Sequence, residues 1–321
     1  MIEIDRVQGD VPQLSRLLRD WPFPPYRSRR DTSPAAVREL VLARVGRSMS
    51  GPQVRSWTAT RERHLRGLAI LQPLEWDSQV LEMRAAKLDL LTAADADAVD
   101  IVGHLIDAAV ADARRLEIQH LSVRVDAADD AAVHALETRG FLNIDALVTF
   151  SATVDRLRCE RGADVSLRVA SRADTAAVSE IAGASFQLGR FHSDPALPPG
   201  RASAVYRAWA AGCCEGKAAD HVILAEAHGQ VHGFIACRID PDTAVYLQHP
   251  TGTIPLIAST TSGRGIGATL IGGAADWFRR HAVESVEVGT QLRNIPAARL
   301  YERCGFRVAA GSLSFRRIIH A

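Results

Sequence analysis

The residues with the most chemical content stand between Ser262 and Leu270, in the run SGRGIGATL. Gly263, Gly265 and Gly267 carry no Cβ, so this backbone can take positive φ and come close to a ligand. The run leads into IGATLIGGAADWFRRH, which has helical periodicity. Peptide N–H groups pointing out of such a turn, added to the positive end of a helix, make a site for pyrophosphate. Arg264 adds a cation, and Ile266 and Ala268 supply further first-turn amides. Gly263 to Ala268 also fits G-x-G-x-x-[G/A], the dinucleotide fingerprint. That motif opens a doubly wound domain, and too little chain follows Gly267 to finish one. A tight turn that binds nothing is the plainer alternative.

A second cluster is GRFHSDP, from Gly189 to Pro195. Arg190, His192 and Asp194 place a cation, an imidazole and a carboxylate in one short loop, which suits a charged ligand. The bland alternative is a solvated loop in which His192 caps a helix. Tyr206 and Trp209 follow at i,i+3 spacing, fit either for stacking on a base or sugar or for core packing. His221, His228 and His232 are spread over a hairpin without metal-ligand spacing. None of the five cysteines forms a C-x-x-C pair, so no metal site is expected.

These residues are positioned by a chain that repeats itself. AAVHALETRGFLNIDALVTFS (Ala131–Ser151) aligns without a gap on PAARLYERCGFRVAAGSLSFR (Pro296–Arg316) at an offset of 165. The register sets Gly140 on Gly305, Phe141 on Phe306 and Phe150 on Phe315. It extends back through the alternating IQHLSVRV and VESVEVGT to helical segments on which Leu105 and Ile106 meet Leu270 and Ile271. Two homologous domains are therefore expected, 1–157 and 164–321, joined near RCERGAD. Each is expected to be α/β, a mixed and mostly antiparallel sheet flanked by helices, because hairpins outnumber helical crossovers. In the second half the pattern predicts a strand at 167–170 and a helix from Thr175 with Asp174 as N-cap. A helix over 201–213, a hairpin through His228–Gly229 and a strand TIPLIAS come next. The glycine turn, its helix and a final strand–helix–strand unit complete the half.

Length and composition agree with this reading. The 321 residues suit two domains at roughly 100–200 residues each. With 38 basic against 37 acidic residues the chain is nearly neutral, so no nucleic acid and no anionic membrane is expected as partner. All the basic residues except Lys87 and Lys217 are arginine, a bias read as genomic base composition. The start MIEIDRVQGD lacks the basic and apolar regions of a signal peptide. No apolar run reaches the length of about 20 residues that spans a bilayer. A cytoplasmic monomer or homodimer is the expectation.

The second half resembles the GNAT superfamily of acetyl-CoA-dependent N-acetyltransferases. Ser262–Gly267 is similar to its pyrophosphate motif [Q/R]-x-x-G-x-[G/A], with Ser262 departing at the first position. Asn294, Ala297, Leu300, Tyr301, Glu302, Gly305 and Phe306 match the signature N-x-x-A-x-x-L-Y-E-x-x-G-F in full. The resemblance implies that acetyl-CoA is the cosubstrate, bound by Gly263, Arg264, Gly265, Ile266, Gly267 and Ala268. It implies that backbone N–H groups at Ile257 and Ala258 polarise the thioester carbonyl and that Tyr301 protonates the departing thiolate. Asn294 either holds the pantetheine or caps the helix that carries Tyr301. Arg190, His192, Asp194 and Tyr206 fall where the family builds its acceptor site.

The first half resembles the same fold without its chemistry. At offset 165 Gly265 meets Asp100 and Gly267 meets Val102, Asp95 and Asp97 lie just upstream, and Tyr301 meets Leu136. Carboxylates there repel a pyrophosphate, so this half is expected to lack a cofactor site. RFHSDP with its Y-x-x-W helix, and LEWDSQVLEMRAAKL (Leu74–Leu88), are similar to the dTDP-fucosamine acetyltransferase group, with Val80, Leu81 and Glu82 departing from its pattern. That resemblance implies N-acetylation of a nucleotide-linked amino sugar by direct transfer, with Arg190 and Arg201 near the diphosphate. The alternatives are a tandem enzyme for another amine and a non-catalytic module that senses acetyl-CoA.

Overall fold

The computed structural model describes residues 1–7, 11–94, 98–159, 164–198, 200–261 and 263–320. The alternating segments of the first half become β1 (Ile2–Val7), β2 (Arg55–Arg61), β3 (His64–Pro73), β4 (Ala85–Ala93), β5 (His120–Asp126) and β6 (Leu142–Thr153). Between them lie α1 (Leu14–Asp20), α2 (Pro34–Met49), α3 (Glu75–Leu81), α4 (Ala98–Arg115) and α5 (Asp130–Glu137). Helix α2 starts where local chemistry dictates: Ser33 accepts from the Ala36 N–H and Pro34 opens the first turn. Helix α4 buries Ile101, Leu105, Ile106, Ala109 and Ala113, the stripe of a helix lying on a sheet.

The second half supplies β7 (Ser166–Val169), β8 (His221–Ala227), β9 (Gln230–Asp240), β10 (Thr251–Ile254), β11 (Ile257–Ser259), β12 (Ser285–Gln291) and β13 (Arg307–Ile318). Its helices are α6 (Thr175–Ser185), α7 (Arg190–Ser193), α8 (Arg201–Cys214), α9 (Ile266–Arg280) and α10 (Ile295–Arg303). The β8–β9 hairpin turns through His228 and Gly229 at φ 51° and 74°, the two positive dihedrals of a tight hairpin. Asp174 stands at the N-cap position of α6, but its side chain makes no capping bond to that helix. It closes the preceding turn, where its carboxylate accepts from Ser171 and pairs with Arg168 at 2.8 Å. The Arg168 guanidinium holds that carboxyl well below the usual carboxylate range.

Two compact units result, 1–146 with 311–321, and 147–310. The sheet of the first unit runs β1-β2-β3-β4-β5-β13, and its β4–β5 pair is parallel. The sheet of the second runs β7-β8-β9-β10-β12-β6, with β10–β12 parallel and β11 paired to β9. The sheets are mixed and mostly antiparallel, as the hairpin count predicts. The expected boundary near 158–164 does not divide these units, because the halves exchange their last strands. Ser312–Ile318 of β13 pair antiparallel with β5, and Leu147–Thr153 of β6 pair antiparallel with β12. The two strands are equivalents at the 165-residue offset and present the same alternation, so each can complete the other half's sheet. Phe315 joins the first core, with Leu105, Leu121 and Phe141. Phe150 joins the second, with Leu270, Phe278, Tyr301 and Phe306.

Candidate active site

The expected strand TIPLIAS is not continuous, and its interruption builds the site. Residues 251–254 pair in parallel with Ser285–Val288 of β12. Pro255 then ends that ladder, since it has no N–H to donate. Against β9 the register slips by one residue between Thr253↔Arg238 and Ile257↔Ile235, the mark of a bulge. Beyond it β11 stays with β9, while Gly289–Gln291 of β12 pair only with β6. A gap opens between the two strands.

The alternation of the antiparallel ladder decides which groups face that gap. Ala236 donates to the Leu256 carbonyl and Thr260 to the His232 carbonyl, both at 2.8 Å. These bonds set positions 256, 258 and 260 toward β9, so Ile257 and Ser259 turn their N–H groups away from it. The expected pair Ile257 and Ala258 is thereby corrected. Ile257 offers its amide to the gap, and Ala258 spends its own on the sheet.

At the end of β11 the chain enters α9. Gly263 and Gly265 sit at φ +80° and +77°, the left-handed region that favours glycine. Gly265 is the N-cap, no side chain caps the helix, and its first turn holds no acidic residue. Thr269 makes the first helical bond, to the Gly265 carbonyl. The N–H groups of Ile266, Gly267 and Ala268 are therefore without helical partners, at the positive end of a 15-residue helix. Arg264 is exposed beside them. Gly267 is small for another reason: a Cβ there would lie 2.7 Å from the Leu300 side chain on α10. Ser262 lies outside the described residues. A turn of this kind, opening beside outward strand amides, fits the pyrophosphate and arm of an acyl-pantetheine.

Tyr301 is buried on α10, edge-on to Phe150 of β6 at 5.6 Å and tilted against Phe306 at 5.8 Å. Burial pushes its phenol well above the ordinary tyrosine range, so it stays protonated at neutral pH. Asn294 caps α10: its Oδ1 accepts from the Ala297 N–H at 3.3 Å, and its Nδ2 donates to the Thr290 hydroxyl at 3.0 Å. Of its two expected roles, the structure commits the amide to fixing the helix that carries Tyr301.

The segment from Ser185 to Ser193 is tied to both walls of the gap. The Ser185 hydroxyl donates to the Ser259 carbonyl of β11 at 3.5 Å. Arg293, in the turn that follows β12, donates through Nη2 to the Leu188 carbonyl at 2.8 Å and also to the Ser193 hydroxyl. His192 rides on this strap. Its ring stacks on Tyr206 at 5.7 Å, its Nε2 lies 3.5 Å from the Ser203 hydroxyl, and its Nδ1 is buried without a partner. Burial first, and the Arg293 charge second, hold the imidazole below its ordinary value, so it is neutral at neutral pH.

The other acceptor-loop residues also make contacts within the fold. Tyr206 is buried, its ring packed against Phe186 at 4.7 Å and Trp209 at 6.2 Å as well as His192. Gly189 makes room for it, since a Cβ there would lie 1.7 Å from the Tyr206 hydroxyl. Asp194 is buried and its Oδ1 accepts from the Ala196 N–H at 3.0 Å. The Arg190 guanidinium lies over the Phe191 ring at 4.6 Å. Arg293 escapes a sequence reading because periodicity and signature matching give it no part; its place directly before the capping Asn294 was the one available signal.

The first unit keeps the scaffold. Its β3–β4 register also slips by one residue, at Ile70/Leu71, and its parallel β4–β5 ladder also ends early, at Leu88↔Val123. Asp100 stands in the first turn of α4 and Leu136 is buried where the second unit has Tyr301. Asp95 and Asp97 lie outside the described residues.

Residues 183–306 match the Acetyltransferase (GNAT) family. The spore coat polysaccharide biosynthesis protein SpsD of Bacillus subtilis is 24% identical over 281 residues, 88% of this chain and 93% of that protein. A dTDP-fucosamine acetyltransferase of Escherichia coli is 26% identical over 190 residues, 59% of this chain and 77% of that one. Among solved structures, a tandem GNAT protein from the clavulanic acid biosynthesis pathway superposes with TM-score 0.59 and 14% identity, covering 100% of this chain and 99% of its own. A GCN5-related N-acetyltransferase from Sphaerobacter thermophilus gives 0.62 and 16%, covering 99% and 96%. At these identities the two structures speak for the fold.

Proposed function

We propose that the chain, whose residues 183–306 match the Acetyltransferase (GNAT) family, N-acetylates a nucleotide-linked amino sugar by direct transfer from acetyl-CoA, with one active site, in the second unit. The observation that carries this reading is the gap between β11 and β12, with the outward Ile257 amide, the uncapped start of α9 and the buried Tyr301 around it. The first turn of α9, with Gly263 and Gly265, holds the pyrophosphate. Ile257 donates to the thioester oxygen, where charge develops as the amine adds. His192, neutral on its strap, accepts a proton from the acceptor ammonium. The new N–C bond forms as the C–S bond breaks, Tyr301 gives its proton to the leaving thiolate, and the second proton lost by the acylated nitrogen returns to the Tyr301 phenolate. Asp100 and Leu136, in the places of Gly265 and Tyr301, support reading the first unit as lacking a cofactor site of its own.

The amino-sugar acceptor is supported by the two relatives, one named for spore coat polysaccharide synthesis and one for acetylation of dTDP-fucosamine. A mass-spectrometric screen of dTDP- and UDP-linked amino sugars with acetyl-CoA tests it. A gain of one acetyl group on such a sugar is expected. Acetylation of other amines alone, with none of these sugars turned over, refutes it.

A further inference from the structure

Arg293 differs from several arginines of its own unit. In the same unit Arg168 pairs with Asp174 and Glu226, Arg207 with Glu180, and Arg279 with Asp276. Arg293 has neutral partners instead: Nε and Nη2 both donate to the Leu188 carbonyl, at 3.3 and 2.8 Å, and Nη2 also to the Ser193 hydroxyl. Among the described residues no carboxylate pairs with it. Tethering a strap to a carbonyl and a hydroxyl needs only a neutral donor, so the full charge is surplus to that task. The tether also fixes the plane of the guanidinium and leaves both Nη1 hydrogens unused, on a side chain exposed to solvent.

A cation with a fixed, partly free fork, held without a counter-charge, is pre-organised for a phosphate oxygen. Its surroundings suit the rest of a nucleotide. Leu292 and Ile295, on either side in the chain, are exposed apolar residues, as is Leu188, whose carbonyl takes the tether. We propose that Arg293 is a specificity-determining residue that binds a nucleoside diphosphate, the anionic part of the acceptor, through its Nη1 edge. The proposal rests on the acceptor reading above and adds to it where the diphosphate is held.

The test is calorimetric titration of dTDP into the full chain saturated with CoA, so that the pyrophosphate turn of α9 is already filled. Wild type is expected to bind dTDP, and Arg293→Gln to weaken it roughly tenfold or more while CoA affinity moves less than about twofold. Ser193→Ala removes one tether and keeps the charge, and is expected to hold dTDP affinity within about threefold. Arg293→Lys keeps the charge without the fork and should fall between wild type and Arg293→Gln. In turnover, Arg293→Gln should raise KM for the dTDP-linked sugar and leave KM for its neutral methyl glycoside unchanged. No dTDP binding by wild type, equal binding by wild type and Arg293→Gln, or equal losses in Ser193→Ala and Arg293→Gln would each overturn the site. An enzyme that binds dTDP through Arg293 yet acetylates no amino sugar would refute the acceptor reading alone.

Discussion

Replacing Tyr301 by Phe removes one oxygen and keeps the ring. The edge contact to Phe150 at 5.6 Å and the contact to Phe306 at 5.8 Å both survive, so stability should change by no more than about 1 kcal/mol. General acids contribute about 10²–10⁴-fold to a rate, or about 3–5 kcal/mol of barrier. The full effect is expected here, because burial keeps the phenol protonated through neutral and mildly alkaline pH. Thiol release followed against time at saturating acetyl-CoA measures kcat, and calorimetry measures acetyl-CoA affinity. The expected result is a kcat lower by about 10² or more, an affinity within about threefold, and an unchanged melt. A second reading comes from pH: wild-type kcat should show no alkaline fall from Tyr301 below the ordinary tyrosine value of about 10. Turnover within threefold of wild type would refute the acid role, as would losses of kcat and affinity in equal measure.

Three further outcomes follow from the same geometry. Gly265→Asp puts both a side chain at φ +77° and a negative charge at the start of α9, so acetyl-CoA binding measured by calorimetry should be lost, whereas Asp100→Asn should leave it unchanged. For His192, wild-type kcat/KM should be flat above the ordinary imidazole value and fall only at lower pH, since burial and Arg293 both favour the neutral form. Arg293→Gln removes the smaller of these causes and should move that acid limb upward; a limb above the ordinary imidazole range in wild type would exclude His192 as the base. Phe150→Ala and Phe315→Ala, equivalent in the repeat, should each cost about 3–5 kcal/mol in denaturant melts. Only Phe150→Ala should also lower kcat, because Phe150 alone of the two packs on Tyr301.

The sequence made legible what depends on local chemistry. The positive-φ glycines at 263 and 265, the Asn294 cap and most of the helix and strand periods stand in the structure as the residue types require. Periodicity assigns a residue to a face without saying what lies opposite. Tyr206 and Trp209 at i,i+3 satisfy a stacking site and a core equally, and the difference was made by Phe186 and Gly189, which no spacing rule connects to them. Likewise TIPLIAS reads as one strand, and only the loss of a donor at Pro255, combined with the one-residue slip against β9, reveals which amides are free.

The exchange of β6 and β13 was hidden by the same property that revealed the repeat. Strands that align at a constant offset carry interchangeable alternation, so the pattern that proves two copies cannot say which sheet each strand completes. The consequence reaches the chemistry. The wall of the gap at Gly289–Gln291 is held by Leu147–Thr149, and Tyr301 rests on Phe150, all supplied by the end of the first half. A segment cut at the expected boundary, 164–321, would keep the glycine turn, Tyr301 and His192 and still lack the strand that supports the acid. On the proposed mechanism the first half contributes through β6 to the support of Tyr301, a role for which it needs neither glycines nor a tyrosine of its own.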